Sequence, residues 1–249
     1  MAAVLVCHIF LFGGKMKIAV CDSRIPISAK KKLYDYCDRI ILLPPFSALH
    51  EPVSAHPDML IYPCREEKII YTHPGYLSKC CEALGGSGFE IIPICEEASE
   101  KYPNDILLNA AHVGKYIFGR AEHISTSVLK YAERRGLEFI DIKQGYAKCS
   151  ICSVSDNAIV TSDPSVLNAA EKLKLDALKI CESGVTLKGY DRGFIGGASG
   201  NDGENVFFCG DINKHPDGER ITDFCVSHGK KVVSLSDEAL YDIGTMFFI

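Results

Sequence analysis

The stretch Gln144–Val154, QGYAKCSICSV, places Cys149 at the head of a short apolar run of Ile151, Cys152 and Val154. A cysteine at the mouth of a buried strand is held rigidly while its sulfur faces a cleft. That suits a nucleophile, because thiolate chemistry needs a fixed sulfur with positive charge nearby. Lys148 stands directly beside it. Residue type alone favours a plainer reading, since free cysteine is among the most buried residue types and usually serves as a small core hydrophobe. Cys149 and Cys152 also form a CxxC pair. A redox role is the weaker reading, because that motif usually opens a helix and this one lies in a strand-like run. With no second pair and no histidine at ligand spacing, a zinc site is not indicated.

Choosing among these readings requires the elements that hold the cysteine. The segments KIAVCD (17–22), KIIYTHP (68–74), KYIFGR (115–120), NAIVTSD (157–163) and NVFFCGD (205–211) are apolar runs ending in a polar or turn residue. Each reads as a strand. A helical pattern follows each one, over 28–37, 75–86, 127–136, 164–175 and 218–229. Asp163 before Pro164 makes a helix cap and first turn, and Gly85, Gly136 and Gly229 stand where helices stop. A closing strand follows each helix, over 39–44, 89–94, 137–142, 177–180 and 231–235. A further class of strand opens each next unit: DMLIYP (58–63), DILLNAA (105–111), CSICSVS (149–155), FIGGASG (194–200) and DIGTMFFI (242–249).

The unit is therefore strand–strand–helix–strand and recurs every roughly 40–50 residues, a spacing typical of repeated supersecondary units. Four units are complete. The fifth is divided, its opening strand at the C-terminus and its remainder at the N-terminus. The expected architecture is an α/β ring of five units closed by its own two ends, a single domain over 15–249. Residues 1–14, MAAVLVCHIFLFGG, have no place in that count and are expected to be a peripheral extension. They are too short to span a membrane and lack the basic region of a signal peptide.

Composition narrows the function. The chain has 249 residues, a formal net charge of -5 and no basic run interleaved with aromatics. Such a balance argues against a nucleic-acid surface or an anionic membrane as partner. The twelve cysteines are scattered through apolar segments, as in a reduced cytoplasmic chain. No GxGxxG or Walker spacing is present, so no nucleotide or other cofactor is called for.

A five-unit ring of this kind resembles the pentein fold, the α/β propeller of the guanidine-modifying enzymes arginine deiminase, agmatine deiminase and dimethylarginine dimethylaminohydrolase. The resemblance covers the chain from Lys15 onward and implies a divergent, circularly permuted bacterial member. In that fold the opening strands converge on a central channel. The superfamily also includes a ribosome anti-association factor with no catalytic site, so fold alone does not give function. The enzymes carry a His-x-Asp motif on one opening strand and the nucleophilic cysteine two units later, and His56, Asp58 and Cys149 match that spacing. In those enzymes the cysteine lies on the last unit. Their acidic Glu-Gly-Gly-Asp-like motif has no counterpart here, where Gly196-Gly197-Ala198-Ser199 keeps the glycines without the acids.

The resemblance implies a cysteine-dependent hydrolase or transferase acting on a small cationic guanidino or amidine compound. Cys149 is the expected nucleophile, its thiol lowered by Lys148 and a protonated His56. His56 is the expected general acid/base, and Asp58 the carboxylate that orients the cation. Asp105, Asn109, Lys148, Ser150 and Asp242 are expected to bind substrate. The alternative is a non-catalytic pentein-fold binding protein.

Overall fold

The computed structural model describes residues 16–249. The expected extension 1–14 lies outside the described residues. The first unit contains β1 (Ile18–Asp22), α1 (Ile27–Leu33) and β2 (Arg39–Leu43). The second has a short helix α2 (Pro57–Leu60), then β3 (Ile61–Cys64), β4 (Ile69–Thr72), α3 (Leu77–Leu84) and β5 (Glu90–Pro93). The third has β6 (Ala111–Val113), β7 (Tyr116–Gly119), α4 (Thr126–Arg135) and β8 (Glu138–Asp141). The fourth has a short helix α5 (Ala147–Ser150), then β9 (Cys152–Ser155), β10 (Ala158–Thr161), α6 (Pro164–Leu173) and β11 (Asp176–Lys179). After β12 (Val185–Thr186) come β13 (Ser199–Asn201), β14 (Asn205–Phe208), α7 (Gly218–Ser227) and β15 (Lys231–Ser234). The chain ends with β16 (Leu240–Tyr241) and β17 (Phe247–Phe248).

These strands form five three-stranded sheets of one design, with β12 and β16 paired separately. In each sheet the middle strand pairs antiparallel with the opening strand and parallel with the closing strand, across the helix. The first sheet takes its opening strand from the far end of the chain: β17 pairs with β1, with Ala19 opposite Phe248. No helix among the described residues is long and apolar enough to cross a membrane.

Burial explains the pattern. The middle strands β1, β7, β10 and β14 are buried at every residue, as a strand covered on both faces must be. The closing strands β5, β8 and β11 expose their end residues. Helices bury i, i+4 pairs against the sheets: Ala29 and Leu33, Cys80 and Leu84, Val128 and Ala132, Val166 and Ala170, Ile221 and Cys225. Asp163 caps α6, accepting from the backbone N–H groups of Ser165 and Val166 at 2.8 and 3.0 Å. Gly136 ends α4 in the left-handed region at φ 63°.

The opening strands are shorter than the sequence pattern predicts, because their first residues fold into turns. The stretch 58–63 begins as α2, with His56 extended at ψ 121° and Pro57 at the first helical position. The stretch 149–155 begins inside α5, and 242–249 narrows to the two residues of β17. The opening strands lie side by side, β6 next to β9, β9 next to β13 and β13 next to β17. Their leading turns therefore gather at one end.

Candidate functional site

Cys149 sits in α5, not on the strand that follows, and is 4% exposed. Its thiol lies 3.1 Å from Asp58 Oδ2 and donates to it. The Asn109 carboxamide fixes the arrangement. Its Nδ2 donates to Cys149 Sγ at 3.1 Å and to the Asp58 carbonyl at 3.2 Å, while its Oδ1 accepts from the Lys148 N–H at 2.8 Å. Thr245 joins the cluster from the C-terminal segment. Its hydroxyl lies 3.2 Å from Asp58 Oδ2 and 2.8 Å from the Gly196 carbonyl, and it accepts from Lys148 Nζ at 3.0 Å.

The Gly196-Gly197 pair is explained by close approach. A Cβ on Gly196 would overlap the carbonyls of Lys148 and Cys149, and one on Gly197 would overlap the Asp242 carboxylate. The Gly197 N–H donates to the Cys149 carbonyl at 2.9 Å. Asp242 is held by the N–H groups of Phe194 at 2.8 Å and Gly244 at 2.9 Å.

His56 is buried between two carboxylates. Its Nε2 lies 3.8 Å from Asp22 Oδ2 and its Nδ1 3.8 Å from Asp242 Oδ1. Burial pushes the imidazole down from its ordinary value, against the upward pull of Asp242 and Asp22, which favours the neutral ring at neutral pH. Asp22 is itself clamped by Arg24, whose Nη2 lies 2.7 Å from Oδ2.

The electrostatics differ from the sequence expectation at Cys149. Burial raises its thiol well above the ordinary value, and the charges of Asp58 and Asp242 raise it further. The lowering expected from Lys148 does not prevail: the ammonium points to Thr245, and the sulfur is bonded to the carboxylate of Asp58, so the net shift is upward. The resting cysteine is a neutral thiol. Burial also raises Asp58 to about 6, opposed by Lys148 and by the bonds from Cys149 and Thr245. Asp105 is raised by burial and restrained by the Tyr146 hydroxyl, which donates to its Oδ2 at 2.6 Å. Burial raises Tyr146 in turn, and its bond to the Asp105 carboxylate raises it further.

Among the described residues, two acceptors in this region have no donor. Asp58 Oδ1 and Asp105 Oδ1 are buried carboxylate oxygens without a hydrogen-bond partner. Buried polar atoms of that kind are rare enough in folded proteins to call for an explanation.

Cys149, Asp58, Asn109 and Lys148 therefore meet in one hydrogen-bonded cluster, and Asp242 adjoins it through His56 and Gly197. Asp105 reaches the region through Tyr146. Ser150 turns inward, its hydroxyl donating to the Ala147 carbonyl at 3.1 Å. Cys152 is fully buried, and every described cysteine is a free thiol. Asp22, Arg24, Thr245 and Tyr146 belong to the same region without having been singled out by sequence. Asp22 carries a signal in retrospect, since it ends a fully apolar strand and Arg24 follows two residues later.

Residues 20–247 match the family model described as a family of unknown function (DUF6873). No curated protein sequence matches the chain. Among solved structures, a mutant of dimethylarginine dimethylaminohydrolase from Pseudomonas aeruginosa complexed with citrulline superposes with a TM-score of 0.56 at 12% identity, covering 90% of this chain and 93% of that one. A second dimethylarginine dimethylaminohydrolase, an adduct with S-methyl-L-thiocitrulline, gives 0.55 at 12% identity, covering 89% and 93%. The amidinotransferase SxtG of the saxitoxin pathway from Microseira wollei gives 0.50 at 12% identity, covering 89% of each chain. The likeness is one of fold: this chain shares its architecture with dimethylarginine dimethylaminohydrolase and this amidinotransferase.

Proposed function

The chain belongs to the DUF6873 family, and we propose that it is a pentein-type enzyme that uses Cys149 to attack the central carbon of a small guanidino or amidine cation. In this reading the five sheets are blades of one closed ring and a single domain, with the β17–β1 pairing as the seam. The observation that carries the proposal is the pair of buried carboxylate oxygens, Asp58 Oδ1 and Asp105 Oδ1, that lack donors among the described residues. A guanidinium or amidinium ion supplies several N–H donors and a positive charge, and so answers both deficits at once. The names of the fold neighbours, which act on dimethylarginine or transfer amidino groups, agree with that class of substrate.

The chemistry follows from the resting electrostatics. A neutral thiol beside carboxylates does not ionise unaided. A cation placed against Asp58 and Cys149 offsets the carboxylate field and lowers the thiol, so the substrate itself prepares the nucleophile. Asp58 Oδ2 is in position to take the thiol proton. The sulfur then bonds to the guanidinium carbon, and the amine leaves with the proton that Asp58 took from the thiol, while neutral His56 serves as the base for the water that follows. Water adds to the resulting S-linked amidino intermediate and releases the thiol, so that one C–N bond of the substrate is hydrolysed overall. An acceptor amine in place of water gives amidino transfer. Asn109 and Lys148 are positioning residues here, and Asp242 holds His56.

A non-catalytic pentein-fold binding protein is the competing reading, and the burial of Cys149 favours it. Labelling separates the two. Chloroacetamidine carries the cation that the site is proposed to hold, while iodoacetamide does not. Mass mapping should find chloroacetamidine at buried Cys149 ahead of exposed Cys81 and Cys95, with the order reversed for iodoacetamide. The Cys149 labelling should slow in Asp58→Asn. The same order of cysteines with both reagents would support the binding protein.

A further inference from the structure

The opening strands have two ends. The turns that precede them carry Asp58, Asn109, Cys149 and Gly197, and the residues that follow them include Arg65, Gly114, Asp156 and Asp202. Among these tails lies a cavity of about 840 Å³. Its volume is that of a small-molecule pocket. Neither Cys149, His56 nor Asp58 lines it. Lys148 and Thr245 do, and they separate it from the Cys149 cluster.

The lining has a charge excess. Arg65, Arg135, Lys148 and Lys230 are its cationic side chains, and among the described residues none of them forms an ion pair. Its acids are Glu66, Asp156 and Asp202, and Asp202 is already neutralised by Lys17 at 2.8 Å. Hydrogen-bond donors are in excess as well. Among the described residues Lys148 Nζ has Thr245 as its one hydrogen-bond partner, which leaves two of its three N–H groups free. Tyr62 is 3% exposed, lines the cavity, and its hydroxyl has no partner among the described residues. Ser153 lines the cavity as well, and its hydroxyl is likewise unpartnered among the described residues.

We propose that this cavity is a second small-molecule site, which shares Lys148 and Thr245 with the Cys149 cluster but not Cys149, His56 or Asp58, and binds a metabolite through a carboxylate or phosphate oxyanion. The oxyanion sits on Lys148 and takes donors from the Tyr62 and Ser153 hydroxyls. Arg65 and Arg135, both exposed, engage the outer part of the ligand with guanidinium groups suited to bidentate contact. The proposal does not depend on the role of Cys149.

Calorimetric titration of the full chain at low salt tests it, with citrate and inorganic phosphate as separate probes and arginine as the cationic control. Saturable one-to-one binding of at least one anion is expected. Citrate alone would identify a carboxylate ligand, and phosphate alone a phosphate ligand. The double variant Arg65→Ala/Arg135→Ala should bind about tenfold more weakly or worse, as the loss of charge-assisted contacts implies. Both positions are exposed, so an unchanged unfolding midpoint will show that the variant folds. Tyr62→Phe should weaken binding several-fold, and Cys149→Ser should leave it unchanged. Absence of saturation with both anions, equal binding by the double variant, or loss of binding in Cys149→Ser would each overturn the assignment.

Discussion

The Asp58→Asn substitution probes the charge of the Cys149 cluster while keeping its shape, since carboxylate and carboxamide are isosteric. In the folded protein, burial lifts Asp58 from its ordinary 3.8 to about 6. The sign follows from linkage. Between those two values the folded state holds a proton that the unfolded state has released, so stability falls as pH rises through that interval and is level above it. The interval is about two pH units, which corresponds to a loss of about 3 kcal/mol. The asparagine variant does not titrate and escapes this loss. It also carries a fixed penalty, because its Nδ2 must replace an oxygen without gaining an acceptor, and that offset is the same at every pH. Asp105 titrates in both proteins and largely cancels in the difference, while Asp242, which the Asp58 charge helps to raise, is raised less in the variant and adds to the difference with the same sign.

The observable is therefore the stability of the variant minus that of the parent, from urea unfolding across the acid-to-neutral range. It should rise by about 3 kcal/mol between about pH 4 and about pH 8, most of it before the parent carboxyl is fully ionised. A difference that stays flat would refute the reasoning, because Asp58 would then carry no burial cost and would not be the poised proton acceptor beside Cys149.

Three further perturbations follow from the geometry. Gly244 adopts φ +64°, and a Cβ there would overlap His56; Gly244→Ala should cost more than about 1 kcal/mol from backbone strain alone, and an unchanged urea midpoint would remove that close approach. Phe248 is 5% exposed and stacks on Phe207 at 4.8 Å between ring centroids. Its truncation to alanine should cost about 3 kcal/mol or more, whereas a loss too small to resolve would make the terminal strand peripheral. Asp163→Ala removes the cap of α6 and should destabilise by about 1 kcal/mol in thermal or chemical unfolding.

The repeat was legible in the sequence because burial on both faces leaves a plain mark. IAVCD, YIFG, AIVT and NVFF are unbroken apolar or small runs, and each is a fully buried middle strand. The divided unit was legible for the same reason, since DIGTMFFI needs a partner and the unit begun by KIAVCD lacks an opening strand. The turns that carry the site left no such mark. Their conformation depends on bonds between distant segments, such as Asn109 to the Lys148 N–H and the Asp58 N–H to the Gly244 carbonyl. No periodicity encodes those contacts, so α2 and α5 read as the starts of strands.

The charge at Cys149 shows how far adjacency misleads. Lys148 is its neighbour in the chain, which suggests a lowered thiol. In a helical turn adjacent side chains diverge, and Lys148 reaches Thr245 while the sulfur meets Asp58, ninety-one residues away in sequence. The same limit hides Asp22. After a middle strand it looks like Asp163 and Asp211, which do cap the turns that follow them, and only the packed structure reveals it as 2% exposed beside His56. The residue types were readable from sequence, but the sign of the field they create was not. A Coulomb field depends on separation in space, and at this site the closest charges come from opposite ends of the chain.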